Sequence, residues 1–143
     1  MKVQRLLMRS LLGAALSCSV LMPASTWAAR PGPAASAPEG SLQQLLMTHA
    51  LVLRGQIDGR DIQLSLQPKK NEDGVEGRYF FFGGSPEILV AGEVEGDDFI
   101  MEESVNGKDV SGQWEGHRQG QSITGTWSSA DGAVTKPFAL QLP

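Results

Sequence analysis

Nucleophilic catalysis needs a base beside its nucleophile, and beyond its first 28 residues this chain offers only His49 and His117, with no cysteine. No local signature joins either histidine to a serine and a carboxylate, so both read as surface residues rather than parts of a hydrolase triad. Carboxylates are abundant: Glu93, Glu95, Asp97, Asp98, Glu102 and Glu103 cluster around one turn, with Asp109 close by and Lys108 the single base in that stretch. Paired acids could do glycosidase-type work, and several oxygen ligands on a loop could hold calcium. The spacing matches no EF-hand loop, and such a run reads first as a solvated face. Two separated histidines without cysteine argue against zinc. The sequence therefore assigns no catalytic residue, metal or cofactor.

Three other features could bind. Tyr79, Phe81, Met101, Trp114 and Trp127 fall on one face of successive alternating segments and could wall a small apolar or planar ligand, or simply fill a core. In Tyr79-Phe80-Phe81-Phe82 the alternation fails; if Tyr79 and Phe81 point inward, then Phe80 and Phe82 point outward, beside Leu89 and Ala91 of the next segment. That pair marks either a partner site or a surface awaiting a cover. The acidic turn at 93–109 could steer a basic partner.

The elements that position these residues are short. Leu42, Leu45 and Leu46 recur at helical spacing behind Ser41, a possible N-cap, which predicts about two turns of helix that need a surface to lie on. From Ala50 onward, alternating segments are separated by Asp58-Gly59, Asp73-Gly74, Gly83-Gly84-Ser85-Pro86, Glu95-Gly96-Asp97-Asp98, Asn106-Gly107, Gln119-Gly120 and Asp131-Gly132. The Asp58-Gly59, Asn106-Gly107 and Asp131-Gly132 pairs suit tight turns with positive φ. Seven turns predict eight strands, near 50–57, 60–68, 75–82, 87–95, 98–104, 109–117, 122–128 and 134–142. With no room for a crossover helix, they should pair as an antiparallel meander and close into an up-and-down barrel; a two-sheet sandwich is the alternative. A repeat of apolar-x-Gly-x-large at Val75, Val90, Val110 and Ile123 places Gly77, Gly92, Gly112 and Gly125 on the inner face, where strong curvature or a bulky neighbour would call for glycine.

The first 28 residues read as an export signal: Lys2, Arg5 and Arg9, an apolar run from Leu11 to Met22, and small residues permitting cleavage after Ala28. The run is too short for a permanent transmembrane helix. A rival lipobox at Ala15-Leu16-Ser17-Cys18 would leave an anchored lipoprotein. After removal of the signal, about 115 residues remain, with nine bases against sixteen acids, one domain in size and ill suited to a phosphate backbone. Residues 29–40, rich in Pro and Ala, read as a flexible leader before a single domain at 41–143.

The repeated strands ending Gly-x-Tyr or Gly-x-Trp, with Gly125-Thr126-Trp127 followed by Lys136-Pro137-Phe138-Ala139-Leu140, resemble a group of small exported bacterial β-rich proteins over about residues 50–142. The architecture is similar to calycins, the lipocalins and avidins, which implies a ligand cup at one barrel end. Those families carry their Gly-x-Trp near the start of the barrel, whereas here the tryptophans lie in the sixth and seventh strands, so no lipocalin or biotin-binding residue is carried over. The sequence expectation is a monomeric, non-catalytic, periplasmic or secreted binding protein that inhibits or neutralises a protein partner. Carriage of a small apolar ligand in the lumen is the alternative, and a carboxylate-dependent enzyme the third reading.

Overall fold

The structure, a computed structural model, describes residues 38–143. The expected signal peptide, Cys18 and most of the expected leader lie outside the described residues. A short helix, α1 (Leu42–Thr48), precedes eight strands: β1 (Leu51–Ile57), β2 (Arg60–Pro68), β3 (Val75–Phe81), β4 (Ile88–Glu95), β5 (Asp98–Ser104), β6 (Gly112–Gln119), β7 (Ser122–Ser129) and β8 (Thr135–Gln141). Every neighbour in sequence pairs antiparallel, and β1 pairs with β8, so the sheet is a closed up-and-down barrel and not a sandwich.

Closure turns the period-two pattern into an inside and an outside. Leu53, Ile62, Leu64, Met101, Trp114, Ile123 and Leu140 are fully buried in the lumen, while Arg54, Gln63, Glu76, Arg78, Glu93 and Glu115 face outward. Apolar inside and polar outside is the reverse of a lipid-facing barrel. At Gly77 and Gly92 a Cβ would fall 1.9 and 2.0 Å from the carbonyl oxygens of Ser65 and Ile100 on the adjoining strands. These glycines let the strands approach at the tight bends an eight-stranded closure needs. Gly112 serves the other expected purpose, because a Cβ there would meet the Trp127 indole nitrogen at 2.7 Å.

Three expectations are corrected. Val110 is not inward: β6 begins at Gly112, and residues 105–111 form a loop folded by Asn106, whose Oδ1 accepts from the amides of Lys108 and Asp109. Asn106-Gly107 is therefore part of a longer loop, whereas Asp58-Gly59 is the tight turn its sequence suggests, with φ of 50° and 75°. Glu103, grouped above with a solvated acidic face, is buried in the lumen, because it shares the inward parity of Phe99 and Met101.

Helix α1 plugs one barrel end. Ser41 caps it in a reciprocal capping box with Gln44, and Leu42 and Leu46 enter the core, each contributing about 2 kcal/mol by burial. Arg118, inward on β6 and buried, straps the preceding segment to the barrel: its guanidinium donates to the carbonyls of Pro38 (2.7 Å), Gly40 and Gly120 and to Asp97 Oδ1 at 3.2 Å. The end of the expected flexible leader is thus pinned. Asp97 Oδ1 also accepts the Leu42 amide at 2.8 Å, and that bond, followed by Arg118, holds the Asp97 carboxyl below the usual aspartate range despite some desolvation.

Gly92→Ala is expected to destabilise the barrel by about 2–4 kcal/mol in urea unfolding, since backbone rather than a side chain blocks the new methyl. For Asp97 the lowered folded value means that its contribution is complete above the unfolded aspartate pKa and is lost as pH falls through the lower folded one. NMR signals of Leu42–Thr48 should shift across that acid range in the native chain and not in Asp97→Asn; identical acid titrations would show that this carboxyl does not hold the plug.

Candidate functional site

The structure divides the expected lumen set in two. Tyr79, Met101 and Trp114 are buried, and Tyr79, Trp114 and Phe138 form a continuous run of rings in edge and tilted contact: Tyr79 to Trp114 at 5.1 Å between centroids and Trp114 to Phe138 at 4.9 Å. Phe81 and Trp127 are only partly buried, packed against the edge of this core at the end opposite α1. The middle of the barrel is filled by its own side chains.

One polar group enters that core. The Glu103 carboxyl accepts from the Tyr79 hydroxyl at 2.7 Å and the Trp114 indole N–H at 3.0 Å through Oε2, and from the Ser111 hydroxyl at 3.3 Å through Oε1. Burial first, then the hydrogen bond to Glu103 and its charge, push the Tyr79 hydroxyl above the usual tyrosine range, so Tyr79 serves as a donor. Ties from β3, β5 and β6 meet at this carboxyl. Trp127 Nε1 is buried without a partner, beside the space that Gly112 leaves open. Alternation alone could have found Glu103, at i+4 from Phe99 on the inward side of β5, had the acidic run not been read as one surface.

The aromatic pair Phe80 and Phe82 faces outward as expected, with rings 5.4 Å apart, and Phe82 is 53% exposed. Helix α1 does not cover it; the helix completes the core at the barrel end instead. Leu89 lies opposite Arg78 and so one register step from Phe80, where it joins a different feature. Across the outer face of β1 to β5 runs the stripe Val52, Ser65, Arg78, Leu89 and Ser104, each opposite the next. The loop carrying Lys108 and Val110 leans over it, with Gly107 against Leu89. Together they enclose a groove of about 570 Å³, whose apolar contacts are Val52 (47% exposed), Leu89 (50%) and Val110 (46%). The size lies within the range of ligand and anchor pockets. Sequence reasoning missed this groove because Val52 and Val110 are far from Leu89 in the chain and meet only through strand register and the fold of the 105–111 loop.

The acidic residues do not converge. Glu93, Glu95, Glu102 and Glu115 project outward from β4, β5 and β6 around the exposed Ile100, which lies opposite both Glu93 and Glu115. His117 lies on β6 with its Nδ1 2.6 Å from Asp98 Oδ1, and His49 caps the C-terminus of α1 beside Thr48. Among the described residues no group of three or more His, Cys, Asp or Glu side chains is placed to hold a metal ion. No protein-family model matches the chain, and no curated protein matches it in sequence.

Glu103→Ala should cost about 3–5 kcal/mol in urea unfolding, because it strands the Tyr79 and Trp114 donors in the core. Glu103→Gln keeps an acceptor and should cost less; equal losses would show that the cavity, not the hydrogen bonding, sets the effect.

Proposed function

We propose that this chain is a non-catalytic, exported binding protein, periplasmic or secreted, that engages a protein partner through its outer face in an inhibitor or immunity role. The observation that carries this reading is the contrast between a lumen filled by Trp114, Tyr79 and Met101 and an outer face bearing a groove at Val52, Leu89 and Val110 beside the uncovered Phe80 and Phe82. Apolar contacts gathered at a concave surface are what a partner's side chain can anchor in. A filled lumen leaves less support for carrying a small ligand inside it.

The charge around the groove indicates the partner's character. Glu76 and Glu102 line it together with Arg78 and Lys108, and the acidic excess lies beyond it, where Glu93 and Glu115 flank Ile100, in a chain of sixteen acids and twelve bases. A basic protein that inserts an aliphatic or aromatic anchor matches this surface, steered by long-range attraction and held by the buried contact. The export reading rests on the basic, apolar and small-residue order of the first 28 residues.

The test compares envelope and secreted proteins of the host captured by the native chain, by Leu89→Glu and by Phe80→Ala/Phe82→Ala. A polypeptide held by the native chain and lost, by about tenfold or more, from both variants is the expected result, with weaker capture as salt is raised. Capture unchanged in both variants places the contact elsewhere and overturns the reading.

A further inference from the structure

The open end of the barrel, opposite α1, carries two cations at inward register positions that are in no ion pair. Among the described residues Lys69, Arg78, His117 and Arg118 each reach a carboxylate, whereas Arg60 and Lys136 instead lie over aromatic rings. The Arg60 guanidinium carbon is 4.0 Å from the Phe81 ring centroid, and Lys136 Nζ is 5.6 Å from that of Trp127. Both cations occupy inward register positions, Arg60 with the parity of Ile62 and Lys136 with that of Phe138. Phe138, Ile57 and Arg60 are successive cross-strand partners and Lys136 lies two residues beyond Phe138 toward the open end, so the backbone positions of the two cations are about 12 Å apart, within reach of two long side chains. Around them the loops of the same end expose Phe82, Val105 and Val134.

We propose that this mouth binds a small planar aromatic carboxylate, with its ring stacked on Trp127 or Phe81 and its charge held by Arg60 and Lys136. The two ring faces are covered by long, flexible side chains rather than by packed core, and an exposed cation–π contact is weak enough to exchange. A ligand ring that takes the cation's place restores the stacking, while the displaced guanidinium or ammonium gains a charge-assisted hydrogen bond to the carboxylate. A neutral aromatic would displace the cation without repaying it, and an aliphatic anion would leave the rings uncovered. Glu103 lies below, its carboxyl occupied by Tyr79, Trp114 and Ser111, which keeps an anion at the rim and out of the lumen. This site is distinct from the outer groove, and neither reading depends on the other.

The experiment is an NMR titration of the full chain with 2-naphthoate and, separately, with the neutral 2-naphthamide, following the indole N–H signals of Trp127 and Trp114. The expected result is a saturable shift centred on Trp127, with Arg60→Gln and Lys136→Gln each weakening 2-naphthoate by about tenfold and the amide binding at least that much more weakly. Arg54→Gln, on the outer face, serves as the charge control and should leave binding unchanged. Absence of any Trp127 shift up to about 5 mM, equal binding of acid and amide, or equal weakening by Arg54→Gln would each overturn the proposal. The amide spectra of the two rim variants report whether the barrel is intact.

Discussion

The pairing of β1 with β8 closes the sheet, and eight strands closed in this way enclose a lumen only wide enough for side chains. Most of the molecule answers to that constraint. Glycines stand where strands must bend against each other's carbonyls, and where a large ring needs the space of a missing side chain. The run of rings from Tyr79 through Trp114 to Phe138 occupies the volume that a wider barrel would leave to a ligand. An open sheet of the same sequence would expose two edges and half of this core.

A lumen so narrow makes any polar group within it consequential. Glu103 is tolerated because donors from two other strands and one loop converge on it, and the same convergence ties β3, β5 and β6 into one arrangement. Arg118 plays the corresponding part at the plugged end, where its donors hold the segment that leads into α1. The two ends of the barrel consequently differ in kind. One is sealed by leucines and a guanidinium strap; the other is rimmed by half-buried rings beneath unpaired cations.

With the interior spent on packing, both proposed recognition sites lie at the surface: the outer groove beside Phe80 and Phe82 and the aromatic rim of the open mouth. They differ in the placement of charge as well as in position. Outward glutamates stand on the strands beside the groove, whereas the mouth holds Arg60 and Lys136 over its rings, among the exposed loop acids Asp58, Glu87, Asp109 and Asp131.

The alternation of apolar residues and the seven turn signals were sufficient to read eight antiparallel strands, their approximate limits and the capped helix at Ser41, because each depends on neighbours a few residues apart. The inward side of each strand was legible for the same reason, and so was the burial of Tyr79, Met101 and Trp114. What alternation could not say is which inward residues lie mid-barrel and which reach the rim, since that depends on how each strand is staggered around the closure. Tertiary structure alone placed Phe81 and Trp127 at the mouth, brought Glu103 to Tyr79 across 24 residues of chain, and set Val52, Leu89 and Val110 around one groove. Strand identity is local chemistry; who meets whom across a barrel is decided by register and shear, which only the closed sheet possesses.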